Sequence, residues 1–188
     1  MTTTRAVAGE FLGSAGLAAV VVGSGIAAQR LSPTDVGLQL FENAFATALG
    51  LAVLILVFAT VSGSHFNPVV TLVDILLHRR PWSLAVAYLP AQVIGCIAGA
   101  VVANLMFAAP AVAWSTTERS GWHLLLAEVV ATAGLVVVIF ALARTGRSQF
   151  VAPAVGAYIG AAYFFTSSSS FANPAITICA PLWRSTAS

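Results

Sequence analysis

Two stretches of the chain place an Asn-Pro pair directly before a short apolar run. Residues 62–70 read SGSHFNPVV, and residues 168–176 read SSSFANPAI. Asn is a preferred helix N-cap, and Pro is favoured at the first helical position, where no amide hydrogen is needed. Each pair therefore predicts the start of a helix. The apolar runs 68–77 and 174–180 are shorter than the roughly 17–25 residues that cross a bilayer, so we interpret both as re-entrant half-helices.

The composition indicates an integral membrane protein. The 188 residues are 59% hydrophobic and 7% charged, whereas soluble domains carry about a quarter charged residues. The net charge of +2 does not suggest a nucleic-acid partner. The three histidines are dispersed, and the sequence shows no nucleophile, phosphate-binding or metal-ligand motif. We therefore predict that the protein is not an enzyme and has no cofactor or metal. Cys96 and Cys179 are interpreted as small buried hydrophobic residues.

Five apolar segments are long enough to cross a bilayer. They are residues 6–28, 38–61, 83–109, 122–144 and 150–166. Together with the two half-helices they predict an all-α membrane protein with five full transmembrane helices. The eight basic residues are all arginine, and five of them fall on one side if the N-terminus is cytoplasmic. Because cytoplasmic loops are enriched in basic residues, we predict that orientation, in a plasma (inner) membrane. The five are Arg5, Arg79, Arg80, Arg144 and Arg147.

The chain contains an internal repeat. The first helix begins AGEFLGSAGLAAVVV and the fourth LAEVVATAGLVVV, with Glu10 and Glu128 near their starts. Each is followed by one more full helix and then by an Asn-Pro half-helix. Three crossings separate the two starts, so the repeats are inverted in the membrane. We predict a first repeat over 1–118 and an incomplete second repeat over 119–188. Inverted repeats with broken helices indicate a midplane site at the repeat interface.

The two Asn-Pro pairs predict the chemistry of that site. If both half-helices begin at the midplane, their positive dipole ends converge there with the side-chain amides of Asn67 and Asn173. The non-helical backbone before each pair, which includes His65, is tolerated where it lines a water-filled pore and offers carbonyl acceptors. Such a site suits a neutral solute with oxygen lone pairs and repels cations. Pro68, Val69, Pro174 and Ala175 complete the two motifs.

At these residues the chain resembles the major intrinsic proteins, the aquaporins and aquaglyceroporins. The resemblance rests on GEFLGS at 9–14, SGSHFNPVVT at 62–71, AEVVAT at 127–132 and FANPAIT at 171–177. It covers nearly the whole chain in order. It implies six tilted helices and two half-helices around one pore per protomer, assembled as a homotetramer in the lipid bilayer. It also implies structural roles for Glu10 and Glu128, which would accept hydrogen bonds from the backbone amides of the re-entrant loops.

Three departures from the family pattern bear on function. The first motif has Val69 where the family usually has Ala, and Ile176 follows the second motif where most members have Arg. The third is that we expect no sixth helix in this sequence, which has eight residues after Ala180. By similarity the narrow filter falls at Thr47, Ala161, Ser170 and Ile176. Because none of the four is aromatic or charged, we expect a wider and less polar filter than in strictly water-selective members.

This filter favours a passive channel for small uncharged solutes. The expected solutes are glycerol-like polyols and neutral metalloid hydroxides such as arsenous acid, rather than water alone. An alternative is a truncated, pore-incompetent remnant or an accessory subunit of such a channel, because the eight residues after Ala180 cannot cross a membrane. A third hypothesis is a secondary transporter coupled through Glu10 or Glu128.

Overall fold

The computed structural model describes residues 4–112 and 121–179, and these residues are helical except for turns and two extended loops. A three-residue 3-10 turn, Ser148–Phe150, precedes the sixth helix directly. The described residues form seven α-helices: α1 Thr4–Leu31, α2 Val36–Ser62, α3 Pro68–His78, α4 Ser83–Met106, α5 Trp122–Arg144, α6 Val151–Phe165 and α7 Pro174–Cys179. The prediction of an all-α protein with two short helices after Asn-Pro is confirmed.

Four helices of the described chain, α1, α2, α4 and α5, are long and apolar enough to span a membrane. The fifth predicted span is α6, which has 15 residues. With the preceding 3-10 turn it rises about 28 Å, close to the thickness of the hydrocarbon core. Large apolar side chains such as Phe45, Leu56 and Val137 are exposed along these helices. The chain is therefore an integral, multi-pass membrane protein.

Local sequence signals fix the ends of α2 and α3. Asp35 caps α2, accepting a hydrogen bond from the amide of Leu38, and Gly63 ends it in a left-handed conformation with φ 87°. Asn67 caps α3, and Pro68 occupies its first turn. Because Gly63 takes this conformation at little steric cost, the chain leaves α2 sharply and enters the first re-entrant loop.

The helices pack through small residues. α1 packs against α2 and α4, and α2 packs against α6. A Cβ atom added to Gly99 would lie 2.0 Å from the carbonyl oxygen of Ala15, and one added to Gly156 would lie 2.4 Å from that of Ala48. Since apolar side chains gain little by leaving lipid for protein, membrane helices associate through such close backbone approaches. The glycines therefore set the α1–α4 and α2–α6 spacing around the centre of the molecule.

The half-helices α3 and α7 enter between the long helices. Both pack against α4, and their mutual contacts bring together the two Asn-Pro starts. The predicted repeat boundary near residue 118 lies outside the described residues, and so do the residues after Cys179 on which the prediction of a missing sixth helix depends.

Candidate functional site: paired asparagines in a narrow pore

The two re-entrant loops are joined by a reciprocal pair of hydrogen bonds. The Asn67 amide nitrogen donates to the carbonyl oxygen of Ala172 at 2.6 Å. The Asn173 amide nitrogen donates to the carbonyl oxygen of Phe66 at 2.7 Å. Each asparagine thus bonds to the residue that precedes the other asparagine. Neither loop can move along the pore axis without breaking its bond to the other.

Each asparagine side chain also caps its own half-helix. The Asn67 side-chain oxygen accepts from the amide of Val69 at 2.9 Å, and that of Asn173 accepts from the amide of Ala175 at 3.0 Å. A side-chain amide nitrogen carries two hydrogens. One is used between the loops, so the second remains a donor for a group at the centre of the pore.

The backbone before each asparagine has the same unusual conformation. Phe66 and Ala172, one residue before the asparagines, have φ of 48° and 46°. Ser64 and Ser170, three residues before, have φ of 53° and 40°. Left-handed conformations of non-glycine residues cost of order 1–3 kcal/mol each and persist only where surrounding contacts enforce them. The two loops therefore have positive φ angles at the same positions relative to their asparagines, as expected for corresponding parts of an inverted repeat.

Two carboxylates, the buried one of Glu10 and the partly buried one of Glu128, supply these enforcing contacts. Glu10 is fully buried and accepts from the amides of His65 and Phe66 at 3.0 and 2.7 Å. Glu128 accepts from the amides of Phe171 and Ala172 at 3.1 and 2.8 Å. Both carboxylates therefore bond to the same two positions before the asparagine of their own repeat.

Glu10 carries a further pair of bonds. The hydroxyl of Ser62 donates to it at 2.6 Å, and the side-chain amide of Gln92 on α4 donates at 2.8 Å. Gln92 also donates to the hydroxyl of Thr71 at 2.9 Å. The first loop is thereby tied to α1, α3 and α4 at once.

The asparagines lie on the wall of a narrow cavity of about 50 Å³. A space of this size holds a few water-sized groups. Most of its wall is aliphatic, contributed by α1, α2, α3, α5, α6 and α7. The aliphatic residues are Leu17, Val21, Leu51, Ile55, Val70, Leu135, Ile139, Val155, Ile159 and Ile176. The polar residues on its wall are Thr47, Ser64, His65, Asn67, Tyr163, Ser170 and Asn173.

Three of the four predicted filter residues line this cavity: Thr47, Ser170 and Ile176. The assignment of Ala161 is wrong, because Ala161 is exposed on the outer face of α6. Residues 159 and 163 are four apart and share a helix face, whereas residue 161 lies about 200° around the helix from either. Ile159 and Tyr163 therefore face the cavity in its place.

Tyr163 corrects a second expectation, that the filter has no aromatic residue. Its buried ring lines the cavity, and its hydroxyl lies 3.2 Å from that of Thr47. A hydroxylated aromatic residue near the end of an otherwise apolar helix is the sequence signal that could have indicated Tyr163.

The remaining motif residues are less uniform. Pro68 and Ala175 are buried, while Pro174 is exposed and Val69 partly buried. Val69 and Pro174 face a separate groove rather than the cavity wall. His65 lines the cavity, and its Nδ1 lies 3.1 Å from the Thr71 hydroxyl.

The carboxy-terminal end of α3 carries a local charge cluster. The side chain of Asp74 is largely buried and pairs with Arg80 at 2.6 Å and with His78 at 2.8 Å. Within residues 4–112 and 121–179, no group of three or more His, Cys, Asp or Glu side chains is arranged to hold a metal ion.

Comparison with known proteins identifies the family. Residues 1–185 match the family described as MIP, Major intrinsic protein. The chain belongs to the major intrinsic protein family. It is 46% identical over 175 residues to "Aquaglyceroporin AqpS" of Rhizobium meliloti (strain 1021), and the match covers 93% of this chain and 74% of that protein. The resemblance inferred from the motifs is confirmed.

Plant and protozoan members of the major intrinsic protein family are also similar. "Aquaporin NIP2-2" of Zea mays is 34% identical over 142 residues, which cover 71% of this chain and 48% of that protein. This chain thus spans about three quarters of the rhizobial relative and about half of the maize one. The X-ray structure of the aquaglyceroporin from Plasmodium falciparum superimposes with a TM-score of 0.75 at 22% identity. That alignment covers 93% of this chain and 78% of the other, so the two share a fold.

Proposed function

We propose that the protein is a passive transmembrane channel for small uncharged solutes that carry hydroxyl groups. The observation on which this depends is the pair of asparagine amides at the centre of the cavity, held by each other's loop at 2.6 and 2.7 Å. Their second N–H groups form a fixed pair of donors at the narrow part of the pore. A solute hydroxyl that accepts hydrogen bonds from these two N–H groups is compensated for the hydrogen bonds to water that it loses on entering the pore.

The cavity wall favours polyols and neutral hydroxides over water alone. Aliphatic side chains cover most of the wall, so the apolar carbon chain of a polyol contacts an apolar surface. The Ser170 hydroxyl is buried without a hydrogen-bond partner in the described chain, and it lines the same cavity. Ile176 adds apolar surface where most family members have Arg. Glycerol and arsenous acid, uncharged molecules with three hydroxyl groups, are the solutes we propose, with water as a further permeant.

The described geometry favours passive flow over ion-coupled transport. The amino-terminal end of α3 meets that of the short α7 at the asparagines, and helix amino termini repel cations. Glu10 and Glu128 accept backbone amides with both carboxylate oxygens. A proton-carrying role would require these carboxylates to release the loops in every cycle. We therefore place Glu10 and Glu128 as structural residues.

A second candidate, a subunit that does not conduct alone, rests on a lateral groove. Residues of α3, α5 and α7 form an apolar groove of about 670 Å³ that reaches Asn173 and Glu128. Its wall includes Val69, Val136 and Ile178. If the pore opens into this groove in the membrane, flux through the chain alone is lost. We further propose a homotetramer in a plasma (inner) membrane with the N-terminus cytoplasmic, as the arginine distribution favours.

Stopped-flow light scattering of proteoliposomes that contain the full chain tests the proposal. We expect glycerol and arsenous acid to enter faster than into protein-free vesicles, with no dependence on a proton gradient and no added potassium conductance. Faster entry only under a proton gradient would contradict the channel and support a coupled transporter. Absence of flux from correctly folded protein would support the non-conducting subunit.

A single-hydroxyl variant connects this flux to the cavity. Ser170→Ala removes one hydrogen bond to the solute, worth about 1 kcal/mol, and we expect an approximately fivefold lower glycerol permeability. Ser24→Ala is the matched control, because the Ser24 hydroxyl bonds to the carbonyl of Val20 on its own helix at 2.6 Å. Equal glycerol permeability of the two variants would contradict the assignment of Ser170 to the pore.

A further inference from the structure

Asp74 is a buried carboxylate that lies next to the pore without lining it. Its side chain is 9% exposed, and the described residues of the cavity wall do not include it. Its Oδ2 atom lies 3.8 Å from Nε2 of His65, which does line the cavity. Asp74 also contacts His78 at 2.8 Å and Arg80 at 2.6 Å, near the carboxy-terminal end of α3. Because α3 rises about 16 Å from the asparagines, half the thickness of the hydrocarbon core, this end lies at the mouth of the pore.

The hydrogen bonds of Thr71 determine which nitrogen of His65 carries a proton. The single hydroxyl hydrogen of Thr71 is donated to the carbonyl oxygen of Asn67 at 3.1 Å. The side-chain amide of Gln92 donates to the same hydroxyl oxygen at 2.9 Å. Since a hydroxyl has one hydrogen and two lone pairs, the contact of 3.1 Å between Thr71 and His65 is a hydrogen bond that Nδ1–H donates. The neutral His65 ring therefore carries no proton on Nε2, the nitrogen that faces Asp74.

Protonation of His65 changes this arrangement. In the neutral form two acceptors face each other across 3.8 Å, a distance too long for a hydrogen bond. A proton on Nε2 makes it a donor, and a charge-assisted hydrogen bond to a carboxylate measures about 2.7–2.9 Å. The ring reaches that distance when Nε2 moves about 1 Å toward Asp74 while Nδ1 keeps its bond to Thr71. Because His65 lines the cavity and Asp74 does not, this movement takes the ring away from the lumen.

We propose that His65 and Asp74 form a pH-sensitive pair, which widens the pore at the α3 side when His65 binds a proton. The inference rests on the proposed channel function. Histidine is the side chain whose charge ordinarily changes between about pH 5 and 8. Acidification therefore raises the permeability to neutral solutes without any net transfer of protons across the membrane. Asp74 acts through His65 and is a positioning residue.

Charged and titratable groups from four parts of the chain face His65. They are Glu10 of α1, Asp74 of α3, Arg80 of the α3–α4 connection and Tyr88 of α4. The two carboxylates favour the imidazolium form, whereas Arg80, which is bonded to the same oxygen of Asp74, opposes it. Tyr88 contacts the His65 ring by its edge and donates its hydroxyl to the carbonyl of Ser62 at 2.8 Å. Negative charge thus predominates around the ring, as a site that accepts a proton requires.

Glycerol permeability of proteoliposomes at equal internal and external pH tests the proposal. We expect wild-type permeability at about pH 5.5 to be at least twofold higher than at about pH 7.5. His65→Gln and Asp74→Asn should lose this difference. His78→Gln and His123→Gln, which replace the other two histidines of the sequence, should keep it. Equal wild-type permeability at the two pH values would overturn the proposal, and so would a pH difference that persists in His65→Gln or in Asp74→Asn that elutes as folded protein.

Nuclear magnetic resonance of the full chain with isotope-labelled histidine tests the pair independently of flux. The His65 signals are identified by their absence from His65→Gln. At about pH 8 we expect a proton on Nδ1 and none on Nε2, and acidification should add the proton on Nε2. A neutral His65 ring with its proton on Nε2 would overturn the proposal. If no glycerol flux is seen at any pH, the channel proposal fails, while these signals still decide whether the protonated pair forms.

Discussion

Replacing Glu10 by glutamine removes one of the two acceptor oxygens that hold the first re-entrant loop. One carboxylate oxygen accepts from the Ser62 hydroxyl and the His65 amide, and the other accepts from the Phe66 amide and the Gln92 side chain. A glutamine offers one acceptor oxygen and one NH₂ group. In either orientation of the glutamine side chain, its NH₂ group replaces an oxygen that accepted two hydrogen bonds, so two of the four donors lose their acceptor.

Glu128, the corresponding residue of the second repeat, provides a comparison for the size of the effect at Glu10. In Glu128→Gln only one donor is affected, because each oxygen of Glu128 accepts one backbone amide. A hydrogen bond to a charged group is worth about 1.5–3 kcal/mol. Glu10→Gln should therefore cost about 3–6 kcal/mol and Glu128→Gln about half as much. At roughly 3 °C per kcal/mol for a chain of this size, the melting temperature should fall by about 9–18 °C and 5–9 °C respectively.

Thermal unfolding in one detergent, followed by tryptophan fluorescence, measures both shifts. Glu42→Gln is the matched control, because Glu42 accepts a single hydroxyl, that of Ser32, through an oxygen that glutamine retains. We expect that control to stay within about 3 °C of the wild type, the effect of roughly 1 kcal/mol. An effect of Glu10→Gln equal to or smaller than that of Glu128→Gln would refute the assignment of four donors to Glu10.

Two further substitutions test the helix packing and the filter. Gly99→Ala places a Cβ atom 2.0 Å from the Ala15 carbonyl oxygen, and it should lower the free energy of unfolding by about 1–3 kcal/mol in the same assay. Gly23→Ala is the control, because its Cβ atom would lie 3.5 Å from the Phe107 ring, and it should be neutral or stabilising. Ile176→Arg places a long cationic side chain in the cavity of about 50 Å³. Ile176→Arg should lower the glycerol permeability more than the water permeability in stopped-flow assays, whereas the control Ile176→Val should preserve the ratio of the two permeabilities. An equal proportional loss of both permeabilities in Ile176→Arg would contradict the position of Ile176 at the constriction.

Structural features that depend on only a few neighbouring residues, such as helix caps, could be predicted from the sequence. Asn67 and Pro68 mark the start of α3 because capping and the missing proline amide act within one helical turn. The repeated glutamates and asparagines indicated the inverted architecture and the site at its interface. Thr47, Ser170 and Ile176 were placed correctly at the cavity by their distance along the chain from the motifs.

The parts that escaped prediction depend on helix rotation or on distant contacts. Counting along the chain selected Ala161, but one or two positions turn a helical residue by 100–200°, which exchanges the lumen for the outer face. The bonds between the loops join residues 105 and 107 positions apart, and no local pattern determines such pairs.

The central claim is that solutes cross the membrane through the cavity lined by Asn67 and Asn173. Ile159→Trp fills that cavity from α6, whereas Val137→Trp adds the same bulk to an α5 residue that is 65% exposed. The decisive measurement is the glycerol permeability of proteoliposomes that contain equal amounts of each variant. The account predicts at least a tenfold loss for Ile159→Trp and wild-type permeability for Val137→Trp. Wild-type permeability of a folded Ile159→Trp variant would contradict the account.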